Sequence, residues 1–426
     1  MTNLATYLLN VLYNLTNRRV EVSANNDFKA LTFKVSTVFS PAAPVNEQEL
    51  FAGRIEQLRK IVDVVNQRGQ HAIIFGERGV GKTSLANIIA GLFQSEEFLA
   101  LKANCDSSDN FDSSWRKIFS QIKIAKKDFS MVFGKPPQTE LFDFAEYHET
   151  LNPEKVRQIL AMLTDKNSLL IVIDEFDRIS EQSTKTMFAD TIKTISDQSI
   201  DATLILVGVA DSVEELISEH QSVERALVQI RMPRMSQQEL NEIFDKGLPK
   251  LGMTIDDNAK RHVTHLSQGL PHYTHLMGLH SARQALDEKS KNITLSHAGK
   301  AIEKSIAEAQ QTIQSGYHKA TMSSRKDNIF KQVLLSCALA KTDELGYFAA
   351  VDVREPLTKI MNKRYDIPSF SRHLYEFCEE TRGPILQKTG KQRRFRFRFI
   401  NPLMQPYVTM QGFVSGLLKE EYLQTH

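Results

Sequence analysis

The chain has 426 residues, 41% hydrophobic and 24% charged, with a formal net charge of +2. That length exceeds one ordinary core and points to about two to three soluble globular domains. The near-neutral balance excludes a polycation, so any nucleic-acid surface is local. Three scattered cysteines (Cys105, Cys337, Cys378) lack zinc-ligand spacing and fit a reducing compartment without a disulfide framework. No run reaches the ~18 uninterrupted apolar residues of a membrane span. The expected location is cytoplasmic, with no membrane partner.

At the N-terminus, Leu4, Leu8, Leu9, Val11, Leu12 and Leu15 share one helical face, without the basic start of a signal peptide. Residues 1–44 read as an extension that ends in the linker "SPAAPVNEQ" and crosses the surface of the next domain.

Residues 71–93 read "HAIIFGERGVGKTSLANIIAGLF". Ala72 to Phe75 has the length of a buried strand. Gly76, Gly79 and Gly81 permit a tight loop with inward amides. Leu85, Ile88, Ile89 and Leu92 then recur at helical spacing. Strand, G-x-x-x-x-G-K-T, helix is the setting of a phosphate-binding loop. The expected nucleotide contacts are Gly76, Glu77, Arg78, Gly79, Val80, Gly81, Lys82, Thr83 and Ser84, with loop amides and the helix N-terminus facing the anion. Lys82 reaches the β- and γ-phosphates, and the Thr83 hydroxyl binds Mg²⁺. A plain glycine turn does not explain Lys82 and Thr83 together.

Residues 135–160 hold loop signals at Pro136-Pro137 and Asn152-Pro153. The acidic balance of this insertion (Glu140, Asp143, Glu146, Glu149) argues against direct phosphate contact. In "SLLIVIDEFDRI" (168–179), a continuous apolar run fits a strand buried on both faces of a parallel sheet. It ends in Asp174, a metal ligand through water, and Glu175, which polarises the attacking water. The alternative is a strand that merely ends in acidic turn residues. A third strand, "ATLILVGVADS" (202–212), ends in Asp211 and Ser212. Either Asp211 touches the γ-phosphate, or Ser212 and Glu215 cap the next helix.

Residues 236–316 read as helices, with apolar positions at Leu240, Ile243, Phe244, Leu248, Leu276, Leu279 and Ala282. The histidines His262, His265, His272, His275 and His280 lack the carboxylate of H-E-x-x-H and any nearby cysteine. Packing or nucleotide contact is their expected role. Polar residues 315–328 mark a boundary. Three helices follow, at 329–340, 352–364 (Asp352 as N-cap) and 367–380. A strand, a Gly390 turn and a second strand complete the winged-helix form of helix-turn-helix.

In "RRFRFRF" (393–399), Phe395, Phe397 and Phe399 face the core, and Arg394, Arg396 and Arg398 face solvent. Lys388, Lys391 and Arg393 sit at the hairpin tip. Ser369, Ser371, Arg372 and His373 point from the third helix toward a groove. No acidic residue lies between Arg382 and Arg398. Such a strip neutralises duplex DNA phosphates. Alternatively it is a solvated strand face, or it docks on an acidic protein surface.

From 51 to about 286, this order of motifs resembles the AAA+ superfamily, in its replication-initiator and STAND-type branches. The resemblance implies an α/β AAA+ P-loop core with a doubly wound parallel sheet (45–235), a helical lid (236–316), a C-terminal winged-helix domain (325–412) and a tail (413–426). It places Phe51 and Arg54 of "ELFAGRIEQLRKI" in the adenine pocket. It makes Arg225 an arginine finger for a neighbouring subunit; the alternative is a helical Arg paired with Glu219 or Glu224. Gly269-Leu270-Pro271 is similar to STAND signalling ATPases, in which this Pro packs near the base. His272 stands where initiators carry an arginine. The implied protein is an ATPase with ATP and Mg²⁺ as cofactors and with Lys82, Glu175 and Arg225 as catalytic residues. It works either as a homo-oligomer on double-stranded DNA, or as a STAND-like switch that recruits a partner effector, as in antiphage defence. No nuclease, protease or deaminase signature is present.

Overall fold

The computed structural model describes residues 24–95, 98–125, 141–143, 149–165, 167–213, 215–217, 223, 225–325, 327–343, 345–391 and 394–419. Among the described residues, seven strands lie before residue 232: β1 (His71–Gly76), β2 (Phe98–Asn104), β3 (Lys123–Ala125), β4 (Leu141–Asp143), β5 (Ser168–Asp174), β6 (Ala202–Val209) and β7 (Leu227–Arg231). Five of them form one parallel sheet in the order β2-β5-β6-β1-β7. β3 and β4 pair separately.

The uninterrupted apolar runs follow from burial on both faces. Alternate side chains enter two different cores. Ile74, Leu170, Val172, Ile205 and Val207 face one core. Ile73, Leu169, Ile171, Ile173, Leu204 and Leu206 face the other, beside Phe111, Trp115, Phe176 and Phe188. The Lys82–Leu92 helix packs on the first side and the Phe111–Phe119 and Gln182–Asp197 helices on the second.

The first core continues without a break through the helices Gln237–Leu251, Asp257–Leu266, Pro271–Asp287 and Leu295–Ala307. Ser236 caps the first of these by accepting from Glu239 N while Glu239 accepts from Ser236 N. Short parallel β8 (Thr254–Ile255) and β9 (Asn292–Ile293) tie this unit together. The Gln311–Thr321 helix runs into the stretch read as a polar boundary. Arg382 Nη1 donates to the carbonyls of Ala320 (3.0 Å) and Met322 (2.8 Å) at its end, so the boundary is an ordered joint.

Beyond it lie the helices Phe330–Ala338, Ala350–Met361 and Ile367–Glu376, then a three-stranded antiparallel sheet in the order β10 (Phe348–Ala349), β12 (Arg396–Phe399), β11 (Leu386–Thr389). The Met404–Val414 helix closes the unit. Gly390, at φ +95°, makes the hairpin turn. Phe397 and Phe399 are buried and Phe395 partly so, as the period-two pattern requires. Asp352 is not the N-cap: the helix starts two residues earlier, and Asp352 accepts from Ala349 N at 2.8 Å.

The N-terminal extension differs most from expectation. The helix expected within residues 1–15 lies outside the described residues. Residues Ala24–Val38 form a helix, and Val35, Val38 and Phe39 are buried against the helical unit. Room for them comes from two glycines. A methyl on Gly247 would stand 2.7 Å from Val38 Cγ1, and one on Gly278 would stand 2.8 Å from Phe39 Cδ1. The described extension thus carries a docked helix ahead of the stretch read as a linker. Phe39→Ala is expected to lower stability by about 3 kcal/mol, the cost of a cavity at a fully buried ring, measured by urea unfolding.

Candidate nucleotide-binding site

β1 ends at Gly76, where φ is +150° and a Cβ would lie 2.5 Å from Met232 O. Only glycine fits there. Gly79 and Gly81 also adopt positive φ and turn the loop toward Lys82, the first helical residue. The buried Lys82 ammonium donates to Gly76 O (2.9 Å) and Glu77 O (2.8 Å). Desolvation lowers its pKa from 10.5 to about 8, against the attraction of Asp177, Asp174 and Glu77. A desolvated cation, glycine amides and a helix N-terminus together suit a polyphosphate.

Val80 is buried, and its carbonyl accepts from Arg54 Nη2 at 2.9 Å. Arg54 thus braces the loop from beneath. Its Nε and Nη1 are buried without a hydrogen-bond partner among the described residues, and burial lowers its pKa. The turn that carries it is tied to the Gln237–Leu251 helix. Gly53 N donates to Glu242 (2.9 Å), Arg54 N donates to Glu239 (3.0 Å), and Lys246 donates to Phe51 O (2.7 Å). Pro271 approaches from above: a methyl on Gly81 would stand 3.9 Å from its Cγ. His272 Nδ1 lies 2.9 Å from Pro41 O, and burial lowers its pKa. Ser84 holds the chain just after the extension, with its hydroxyl accepting from Val45 N at 3.1 Å. Arg78 is exposed, and Thr83 is partly buried in the first helical turn.

Asp174, 3% exposed at the end of β5, accepts from Glu175 N through Oδ1 at 2.9 Å. Its Oδ2 has no hydrogen bond among the described residues, and Lys102 Nζ stands 3.0 Å away as an ion pair. Glu175 is left-handed (φ +55°) and pairs with Arg178 at 3.0 Å. Asp177 accepts from Val209 N at 2.8 Å, joining the acidic turn to the end of β6. Asp174 and Thr83 offer the hard oxygen donors that suit Mg²⁺.

The C-terminal unit contacts the rim of the site. Asp211 pairs with Arg398 at 2.5 Å. Arg398, whose side chain is 16% exposed, does not face solvent as the alternating pattern implied; its guanidinium lies 4.6 Å over the Tyr347 ring. Arg234 donates to Glu77 (2.7 Å), Gln405 Oε1 (2.7 Å) and Gln268 O (3.2 Å), so one side chain joins phosphate loop, lid turn and C-terminal helix. Leu403 reaches the loop itself: a methyl on Gly79 would stand 3.1 Å from its Cδ2. Sequence reasoning missed Lys102, Arg234, Leu403 and Gln405. Lys102 alone left a signal, a lone charge in the apolar strand "FLALKAN". Residues 212, 213 and 215–217 form bends and turns, and Glu215 accepts from Asp211 N at 3.1 Å.

Arg225 is exposed on the turn before β7. Among the strip residues, Lys391 and Arg394 are exposed, and Arg396 pairs with Asp343 at 2.7 Å. Lys388 lies over the rings of Tyr375 and Phe395, at 5.1 and 4.8 Å. Arg372 is 86% exposed and pairs with Glu376; Arg393 lies outside the described residues. His275 and His262 pack edge-on against Phe39 and Phe413, and burial lowers both pKa values to about 4. Among the described residues no histidine, cysteine and carboxylate group gathers into a metal site, and no helix is long and apolar enough to cross a membrane.

Sheet order, glycine loop, Lys82 and the acidic strand end together have the form of an α/β P-loop NTPase. The chain belongs to the novel STAND NTPase 1 family, whose profile matches residues 43–359. No curated protein matches it in sequence. Similar solved structures include the Walker-type ATPase PABY2304 of Pyrococcus abyssi (14% identity, TM-score 0.49, 87% of this chain and 99% of that one). Others are the Aeropyrum pernix ORC1 protein in complex with DNA (14%, 0.45, 90% and 98%) and the Thermotoga maritima RuvB Holliday junction branch migration motor (13%, 0.43, 85% and 96%).

Lys82→Met is expected to weaken nucleotide binding by about 3 kcal/mol, roughly a hundredfold, measured by titration with a fluorescent nucleotide. Between pH 8 and 10.5 the unfolded chain holds more protons on Lys82 than the folded one, so this group makes the nucleotide-free protein more stable as pH rises. Nucleotide affinity is expected to fall across the same window, because phosphate binds the ammonium form. Both trends should vanish in Lys82→Met.

Proposed function

We propose that the protein is an ATP-dependent switch. A C-terminal winged-helix domain (325–412) is latched onto the nucleotide site of the AAA+ core (45–235) and lid (236–316), and is released to engage a partner effector. The observation that carries this reading is the 2.5 Å Arg398–Asp211 pair, seconded by Arg234 between Glu77 and Gln405. These pairs join the C-terminal unit to groups at the ends of β6 and β1, the edge where a γ-phosphate is read. A triphosphate adds negative charge beside Glu77 and Asp211 and competes for the guanidiniums that hold the latch.

In this reading the loop amides and Lys82 bind the phosphates of ATP, and Arg54 supports the loop through Val80. Phe51, Pro271 and His272 line the base side. Thr83 and Asp174 would hold Mg²⁺, which supplies charge neutralisation when bound. Glu175 orients and deprotonates the attacking water once it parts from Arg178. Arg225, exposed, is available to a neighbouring copy in a homo-oligomer.

A second reading rests on the hairpin tip. Exposed Lys391 and Arg394, with Arg372 nearby in the fold, offer duplex DNA a phosphate-binding surface that stays open while Arg398 is engaged. Binding of a labelled duplex that weakens steeply with salt and is lost in Lys391→Glu/Arg394→Glu supports it. No binding at low salt rejects it.

Glu175→Gln is expected to keep nucleotide binding and abolish hydrolysis, measured by phosphate release. Arg398→Glu is expected to speed nucleotide exchange roughly tenfold, the scale of one coupled charge pair. The reversed pair Asp211→Arg/Arg398→Asp is expected to restore slow exchange, measured by chase of a fluorescent nucleotide. Equal exchange rates in all three proteins would reject the latch.

A further inference from the structure

We propose that Lys102 is a built-in counter-cation for the metal-binding carboxylate, and that it sets the Mg²⁺ concentration at which the site loads. This rests on the reading of Asp174 as a metal ligand and is independent of the latch. Strand register places Lys102 opposite Val172 and Asn104 opposite Asp174, so Lys102 lies one same-face position below the carboxylate on the neighbouring strand. Its ammonium is 3.0 Å from Asp174 Oδ2, with side chains 19% and 3% exposed. That oxygen has no hydrogen bond among the described residues. A carboxylate this buried requires a cation, and in the metal-free protein Lys102 is that cation.

The same ammonium also donates to Asn87 Oδ1, on the phosphate-loop helix one turn beyond Thr83. Asn87 Nδ2 donates in turn to Asn46 Oδ1 (2.6 Å) on the N-terminal segment. Lys102 therefore has two partners, Asp174 at the end of the neighbouring strand and Asn87 on the helix that carries Thr83. It yields the carboxylate when a divalent cation is bound and keeps Asn87, which limits the cost of the exchange. A lysine without the second partner would be stranded, and one without the first would leave Asp174 unpaired whenever metal is low. The consequence is a raised metal threshold: nucleotide binds without a fully formed metal site until Mg²⁺ outcompetes the lysine.

The test titrates Mg²⁺ into the full chain with a fluorescent, non-hydrolysable ATP analogue and reads the half-saturating metal concentration. Lys102→Met is expected to lower it roughly tenfold, the scale on which groups around a metal's ligands tune affinity. It is also expected to lower the melting temperature in EDTA but not with metal and analogue bound. In an Asp174→Asn background the same substitution is expected to leave the metal dependence unmoved. Lys102→Arg keeps the charge and is expected to stay near wild type, which separates the effect from a folding defect. A half-saturating concentration that is unchanged or raised in Lys102→Met overturns the proposal, as does an equal shift in the Asp174→Asn background. Failure of the nucleotide site itself would show as no analogue binding by the wild-type chain. Failure of the latch is read from Arg398→Glu and leaves the metal titration untouched.

Discussion

A single ammonium group taken out of water at the start of a helix sets the terms for its surroundings. Lys82 is buried beneath a glycine loop, and the acceptors it meets are two neutral carbonyls. Burial of such a charge is costly without compensation, so carboxylates gather within its field: Asp177, Asp174 and Glu77. Each carboxylate then needs its own partner, and each partner belongs to a different element. Asp177 takes the Val209 amide of β6, Asp174 takes Lys102 of β2, and Glu77 takes Arg234 beyond β7. The charge requirement at one atom thus propagates outward as one amide hydrogen bond and two ion pairs.

The last of those partners is shared. Arg234 divides its donors among the loop, the lid turn and Gln405 of the C-terminal unit, and a few residues away Arg398 reaches across to Asp211. Apolar packing runs the same way, since one core extends from the sheet through the lid to Phe397 and Leu403. Core and C-terminal unit are therefore not beads on a linker. Apolar burial supplies non-directional adhesion, whereas the arginine pairs are directional, partly desolvated and sensitive to added negative charge. That division gives a nucleotide a way to act on the C-terminal unit through a few side chains.

What the sequence disclosed follows from the range of the forces involved. The phosphate loop, the acidic strand end and the double-faced strands are local patterns, and Gly76 to Thr83 and Leu169 to Asp174 stand where those patterns put them. The Phe row of the hairpin was equally legible, because strand alternation is a property of the backbone. The Arg row was only half legible. Arg394 is exposed, but Arg398 meets a carboxylate 187 residues away in the chain, and no local period encodes that meeting. Arg54, assigned to the base pocket by resemblance, also donates to Val80 O from a left-handed backbone position, a contact that no local pattern encodes. Helix Ala24–Val38 escaped notice because its docking site is two glycines, Gly247 and Gly278, whose meaning is the space they leave.

The most direct measurement is amide hydrogen exchange of the full chain without nucleotide, with ADP and with a non-hydrolysable ATP analogue. The segments to follow are 343–347 and 396–405, which carry the contacts to Asp211, Glu77 and Gly79. If the C-terminal unit is a latch governed by nucleotide, both segments stay protected without nucleotide and with ADP. They lose protection with the triphosphate, while the phosphate loop gains it. Protection of both segments that is the same in all three states, with the loop still responding to nucleotide, would contradict the latch and leave the C-terminal unit as a fixed part of the ATPase.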